Sequence, residues 1–267
     1  MTHPPVTVSV ITISYQDVAG LKKTVDSVRR QIGDVKIEHI VIDGGSSPET
    51  VDYLRSLDPP PEYWHSRPDS GRYHAMNLGI AKATGDVIWL MHSGDCFGDP
   101  KAVSATVMQV PDIRNHWGYA KVLRVNSSGE SLGVWGFIPF DMKKFASGLN
   151  TIPHQGAFFG SNTLAKIGPY DEDFGLAADQ LYMFRAALIQ PPVTVDRLVC
   201  DFDVTGAGTT RPIRDNFSDL RRAWDLLNYY PHDNRFLARI QSRIREYALR
   251  GFFSLHALKS RTFGSDR

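Results

Sequence analysis

Cysteine is nearly missing, with Cys96 and Cys200 the only two in 267 residues. So few, so far apart, exclude a disulfide framework and a zinc-finger spacing, and they point to a reducing compartment. Long apolar runs are missing as well. The N-terminal "MTHPPVTVSVITISY" has no basic leader and no small-residue cleavage site, and its apolar run falls short of the about 20 residues that span a bilayer. The expectation is a cytoplasmic protein without a transmembrane anchor. Charge of one sign is scarce too: 30 Lys and Arg offset 29 Asp and Glu, leaving +1 at pH 7. That balance excludes nucleic-acid binding by a bulk basic footprint. Neither a GxxxxGK phosphate loop nor a dinucleotide fingerprint occurs, which argues against a nucleoside triphosphatase or an NAD enzyme. Internal repeats and low-complexity tracts are also absent.

What is present is a globular composition, 42% hydrophobic and 11% aromatic, enough for one large core with a helical appendage. Val6 to Ser14 is a continuous β-branched run, the pattern of a strand buried on both faces, and Leu21, Val25 and Val28 recur at helical spacing within Asp17 to Gln31. A second strand is predicted over Ile37–Ile42, a helix from Pro48 to Leu57, a short strand over Trp64–Arg67, a helix over Tyr73–Thr84 and a strand over Asp86–Met91. This alternation predicts a mostly parallel sheet flanked by helices, an α/β fold. Further on, a helix is expected over Lys101–Val110, an antiparallel pair over Trp117–Val125 and Ser131–Phe137, and a short helix over Asp141–Ser147. A helix from about Ala178, a strand over Val193–Phe202, the Gly- and Thr-rich loop "VTGAGTTR" and helix from Asp215 to Leu258 broken at Pro231 complete the pattern.

In open α/β sheets ligands bind beyond the carboxyl ends of the strands, where strand order reverses. Three predicted strand ends carry polar residues: Thr12-Ile13-Ser14-Tyr15, Asp43-Gly44-Gly45-Ser46 and His92-Ser93-Gly94-Asp95. The last interrupts the apolar run "VIWLM" abruptly, so Asp95 is expected at the mouth of a shared crevice. His92 is read as facing the sheet. The helix after "RPDSG" carries Ala75, Gly79, Ala81 and Ala83, small enough for close backbone approach.

As an ordered set, "VSVITISY", "IVIDGGSSPET", "PDSGRYHAMNLGIAKATGD", "LMHSGD", "HQGAFF" and "GPYDEDFGLAADQ" resemble the inverting family 2 glycosyltransferases of GT-A fold. The resemblance covers roughly residues 6 to 205, and within the family it is similar to the bacterial colanic acid fucosyltransferase-like and mycobacterial phenolic-glycolipid glycosyltransferase-like branch. It implies transfer of a sugar from a nucleotide-diphosphate donor to a glycan or glycolipid acceptor in cell-envelope polysaccharide or glycolipid biosynthesis. The domain division it suggests is 1–210, with a nucleotide half to about 100 and an acceptor half beyond, and a helical extension over 211–267.

Residue roles follow from the same resemblance. The family's Asp-x-Asp metal motif stands here as Ser93-Gly94-Asp95, so Asp95 alone would hold Mg2+ or Mn2+, together with the donor diphosphate. Asp43 would accept from the base, and Thr12, Ser14 and Tyr15 would line base and ribose. Asp69 and Arg72 would lie nearer the diphosphate, with Gly44, Ser46, Asn77, Ser93 and Gly94 also on the nucleotide-sugar side. A surface ion pair is the other reading of Arg72. Asp179 in "AADQ" matches the catalytic aspartate, the general base of an inverting transfer; a helix cap is its structural reading. His154 and Gln155 would shape the sugar or acceptor side.

From Arg211 to the end lie 12 basic and 6 acidic residues, with Trp224, Tyr229, Tyr230, Phe252 and Phe253 among them. Contact with an anionic membrane, a dimer interface and a solvated helix all remain open there. Two other functions remain open at this level: a nucleotidyltransferase, for which "SYQDVAG" is a poor signature loop, and a catalytically silent nucleotide- or sugar-binding module.

Overall fold

The computed structural model describes residues 5–204 and 211–262, with side chains to residue 252. Most of the expected Gly- and Thr-rich loop and the side chain of Phe253 lie outside these. The chain divides into two compact units, one of Met1–Phe140 with Thr151–Thr205, the other of Asp141–Asn150 with Gly206–Arg267.

The first unit opens with β1 (Val6–Ser14), α1 (Val18–Arg29), β2 (Val35–Asp43), α2 (Pro48–Ser56), β3 (Tyr63–Ser66), α3 (Arg72–Ile80) and β4 (Val87–Leu90). Two-residue β5 (Cys96–Phe97) follows, then α4 (Ala102–Val107), β6 (Trp117–Val125) and β7 (Ser131–Trp135). The second unit inserts α5 (Met142–Ala146). The first then resumes with β8 (Ala157–Gly160), α6 (Ser161–Ile167), α7 (Ala178–Ile189) and β9 (Val193–Asp203).

Among the described residues these strands form one sheet in the order β3-β2-β1-β4-β8-β6-β9-β5, with β7 also paired to β6. The first four are parallel throughout, Val6 to Ser14 in register with Val35 to Asp43. The rest is mixed. β8 runs antiparallel to both β4 and β6, β9 parallel to β6, and β5 antiparallel to β9. The β-branched residues of β1 are buried on both faces, as its unbroken apolar pattern requires. Helix α1 starts at Asp17, which accepts a hydrogen bond from the Gly20 amide at 2.9 Å, and buries Leu21, Val25 and Val28. Trp89 and Phe158 pack at a tilt at the centre of the main core, with Phe97 edge-on to the indole. On α3, Gly79 sits so near β1 that a Cβ would lie 2.4 Å from Ile11 Cγ2.

In the second unit α5 is joined by α8 (Ile213–Leu227) and α9 (Arg235–Thr262). Trp224 is buried and donates its indole N–H to the Ala146 carbonyl at 2.7 Å. Buried Arg221 lies 2.9 Å from buried Glu246 and donates to Ser242 Oγ at 3.0 Å. The helical break falls earlier than Pro231: α8 ends on Asn228 in the left-handed region (φ 48°), whose short amide side chain tolerates it.

Candidate active site

From β1 the chain winds outward to β2 and β3 on one side, then crosses back to place β4 on the other. The carboxyl ends of β1 and β4 therefore flank a switch point, the position at which sheets of this kind bind ligands. Ser93 N donates to the Ile13 carbonyl at 3.0 Å, so the turn after β4 stays alongside the end of β1.

Asp43, fully buried at the end of β2, ties the neighbouring loops together. It accepts from the Ser46 amide (2.8 Å), the Ser46 hydroxyl (2.5 Å) and the Ser66 hydroxyl (2.6 Å), and Ser46 Oγ in turn accepts from Gln16 N at 2.7 Å. A Cβ on Gly44 would lie 3.0 Å from Asp69 Oδ2 and 3.1 Å from Tyr15 Cδ2, so half-buried Asp69 and exposed Tyr15 both close over the buried Gly44 backbone. Asp69 also accepts from the Gly71 amide at 2.8 Å, shaping the entry to α3. Thr12 is buried below this level with its hydroxyl 3.0 Å from His39 Nε2, and the buried Ser14 hydroxyl has no partner.

The turn after β4 is held from α1. Asp17 Oδ2 accepts from Ser93 Oγ at 2.8 Å, and Thr24 Oγ1 accepts from Gly94 N at 3.0 Å. Gly94 has φ 96°, a glycine conformation, and a Cβ on Gly20 would lie 2.8 Å from its amide. This clamp leaves Asp95 pointing inward, 4% exposed, accepting from Gln155 Nε2 at 2.9 Å and from Asp203 N at 3.1 Å. Burial pushes its carboxyl up to about 7, against those two hydrogen bonds and with the Asp203 charge adding to the rise. Each oxygen accepts one hydrogen bond, which leaves lone-pair capacity on both.

A carboxylate so costly to ionise suits a neighbouring cation. Among the described residues no three His, Cys, Asp or Glu side chains gather as a cage. The donor set therefore fits Mg2+ or Mn2+ completed by phosphate oxygens and water, and does not fit a structural zinc site.

The opposite wall comes from α3, α7 and the segment before α7. Asn77 does not face the strand ends. It clamps that segment, donating to the Tyr170 carbonyl (3.1 Å) and Glu172 (2.9 Å) and accepting from Tyr170 N (2.9 Å). Tyr73 donates to the Leu176 carbonyl at 2.9 Å. Asp179 falls in the first turn of α7 behind Ala177, so it is not the cap; its Oδ1 accepts from Gln180 N at 2.8 Å. Its charge helps hold the Tyr73 and Tyr170 hydroxyls in their neutral form, after burial. Arg72 is exposed, and among the described residues its guanidinium has no ion-pair partner. Its positive charge still reaches Tyr73, His92 and His154.

His154 Nε2 lies 2.8 Å from the Tyr170 hydroxyl, and Tyr170 stacks on Tyr182 with ring centroids 3.9 Å apart. His92 turns its ring to His154, centroids 5.2 Å apart, rather than simply into the sheet. Burial lowers both imidazole pKa values, and His92 Nε2 and His154 Nδ1 are buried without partners. His92, Asp17, Gly20 and Thr24 are the members that the sequence reading did not include. Asp17 carried a legible signal, an N-cap residue before a periodic helix.

The glycosyl transferase family 2 profile matches residues 9–116. An uncharacterized glycosyltransferase of Mycobacterium tuberculosis is 47% identical over 250 residues, spanning 92% of this chain and 94% of the relative. The chain belongs to glycosyl transferase family 2. A second relative, the PGL/p-HBAD biosynthesis glycosyltransferase of Mycobacterium bovis, is 26% identical over 194 residues, 71% of this chain and 72% of the relative. Among solved structures, the mannosyltransferase of Pyrobaculum calidifontis in complex with GDP-Man and Mn2+ superposes with TM-score 0.62 at 18% identity, covering 92% of this chain and 72% of that one. TarS 1-349 of S. aureus in complex with UDP-GlcNAc gives 0.61 at 14% identity, covering 81% of this chain and 65% of that one. At such identities the likeness establishes the fold, which is GT-A.

This family 2 glycosyltransferase also has a hollow of about 410 Å³ at the amino end of β4, lined in part by Thr84, Asp86, Arg114 and Asn162. It is remote from the strand-end crevice, and its charges are spent on each other, Arg114 lying 2.7 Å from Asp86.

Proposed function

We propose that the protein transfers a sugar from a nucleotide-diphosphate donor to a hydroxyl of a glycan or glycolipid, with inversion at the anomeric carbon. The observation that carries this reading is the pairing, in one unit, of a buried carboxylate at the switch point, Asp95, with a second carboxylate, Asp179, whose charge acts on the same His154 and tyrosine cluster that Arg72 reaches. Exposed Tyr15 and half-buried Asp69 offer a surface for base and ribose, and Asp43 with Ser46 keeps the loop beneath it in shape. Arg72 binds diphosphate oxygens through its planar fork. Asp95 would hold Mg2+ or Mn2+, and the ion would supply positive charge to the departing diphosphate.

In the reaction the acceptor oxygen attacks the anomeric carbon from the face opposite the diphosphate. The carbon–oxygen bond to the diphosphate breaks, and the acceptor proton passes to a carboxylate oxygen of Asp179. His154 and Gln155 border the sugar side, Gln155 through its hydrogen bond to Asp95 and His154 through Tyr170. The Mn2+ and GDP-Man of the mannosyltransferase, the UDP-GlcNAc of TarS and the PGL/p-HBAD biosynthesis named for the mycobacterial relative support this donor and acceptor chemistry. GDP-, UDP- and dTDP-sugars are the donors to screen.

Asp179→Asn tests the base. Turnover, followed as release of the nucleotide diphosphate, is expected to fall by about 10²–10⁴, with calorimetric nucleotide binding unchanged. Wild-type turnover in that variant would remove Asp179 from the role.

A further inference from the structure

Helix α9 is buried along one face only. Ala238, Ser242 and Glu246, four residues apart, turn inward. Diametrically opposite, Phe236, Ile240, Ile244 and Tyr247 form one helical stripe, exposed by 76%, 40%, 62% and 63%. Leu237 widens it. Large apolar side chains gathered on one exposed stripe mark a contact surface.

The charges beside the stripe are of one sign. Arg235–Thr262 contains seven Lys or Arg and a single acid, Glu246, and that acid is buried against Arg221. Arg243 and Arg250 lie along one edge of the stripe with side chains 58% and 50% exposed, and share the single buried carboxylate of Glu246 at 3.8 and 3.7 Å with Arg221, so three arginines face one acid. Among the described residues no helix is long and apolar enough to cross a membrane. An apolar stripe edged by arginines on a helix of that kind suits the plane of a bilayer surface.

We propose that this face of α9 docks on an anionic lipid surface, its apolar stripe entering the headgroup boundary and its arginines meeting lipid phosphates. Charge argues against a second copy as the occupant. Packing the stripe on itself would bring two arginine edges together with no accessible acid on α9 to offset them. The proposal is independent of the glycosyl-transfer reading, because vesicle binding is measured without a donor.

The test is flotation of the full chain with vesicles of phosphatidylcholine alone and of phosphatidylcholine mixed with phosphatidylglycerol, at low and high salt. Binding is expected to the mixed vesicles, to weaken at high salt, and to be about tenfold weaker on the neutral ones. Phe236→Ser combined with Ile244→Ser, at two exposed positions, is expected to lower binding about tenfold while the circular dichroism and thermal midpoint stay at wild-type values. Absence of binding to the mixed vesicles at low salt would overturn the proposal. So would binding that the double variant leaves intact, or a concentration-dependent dimer that the double variant abolishes.

Discussion

Two buried carboxylates sit at the carboxyl edge of the parallel half, Asp43 at the end of β2 and Asp95 in the turn after β4, and their surroundings differ. Asp43 is satisfied by three close donors and acts as a knot between loops; Asp95 has two, with the Asp203 charge nearby. His39 gives a prediction of its own. Burial, aided by the Arg29 charge, lowers its pKa from 6.5 to about 3. The unfolded chain therefore binds a proton that the folded chain refuses, and stability is lost as pH falls from about 6.5 towards 3. The contribution of His39 to the slope is about 1.4 kcal/mol per pH unit in that window, read as the difference between wild type and His39→Gln in urea denaturation at pH 7, 5.5 and 4.5, because His92 and His154 add to the total dependence and Asp95 opposes it. His39→Gln should flatten that dependence, and an unchanged slope would clear His39 of responsibility. Asp95 and Asp179 were legible through the resemblance of "LMHSGD" and "GPYDEDFGLAADQ" to family motifs, since an acid at a helix start is by itself ordinary capping chemistry. The rerouting of Asn77 to Tyr170 and of Thr12 to His39 was not, since both depend on partners 93 and 27 residues away.

At the scale of elements, the close approach of α3 to β1 rests on Gly79. Gly79→Ala forces a methyl against Ile11, a branched side chain fixed in the sheet, and is expected to cost about 1–3 kcal/mol in denaturant unfolding. An unchanged midpoint would mean that helix and strand can separate at no cost. In the helical unit, Glu246→Ala leaves Arg221 buried without its counter-charge, an expected loss of about 3–5 kcal/mol; a loss below about 1 kcal/mol would show that water reaches the pair. The parallel half was legible to within a few residues because β-branched runs alternate there with helical periodicity. The mixed half was harder. β5 is two residues long and β8 four, too short to show a period, and they exist because β9 and β4 offer open edges. The break after α8 was placed at Pro231, whereas Asn228 ends the helix first by adopting a left-handed cap.

For the whole molecule, the β3-β2-β1-β4 order converts scattered motifs into one crevice. Strand ends 29 and 52 residues apart, at Ser14, Asp43 and Ser66, line up because the strands are parallel and in register. The central claim is that this crevice binds a nucleotide diphosphate through a cation that Asp95 holds. Calorimetric titration with UDP, GDP and dTDP, with and without Mn2+, tests it most directly, in the wild type and in Asp95→Asn. One nucleotide is expected to bind at least about tenfold more tightly with Mn2+, a gain of about 1.4 kcal/mol, and the variant is expected to lose that gain. Equal binding with and without Mn2+, or no binding of any of the three, would contradict the account.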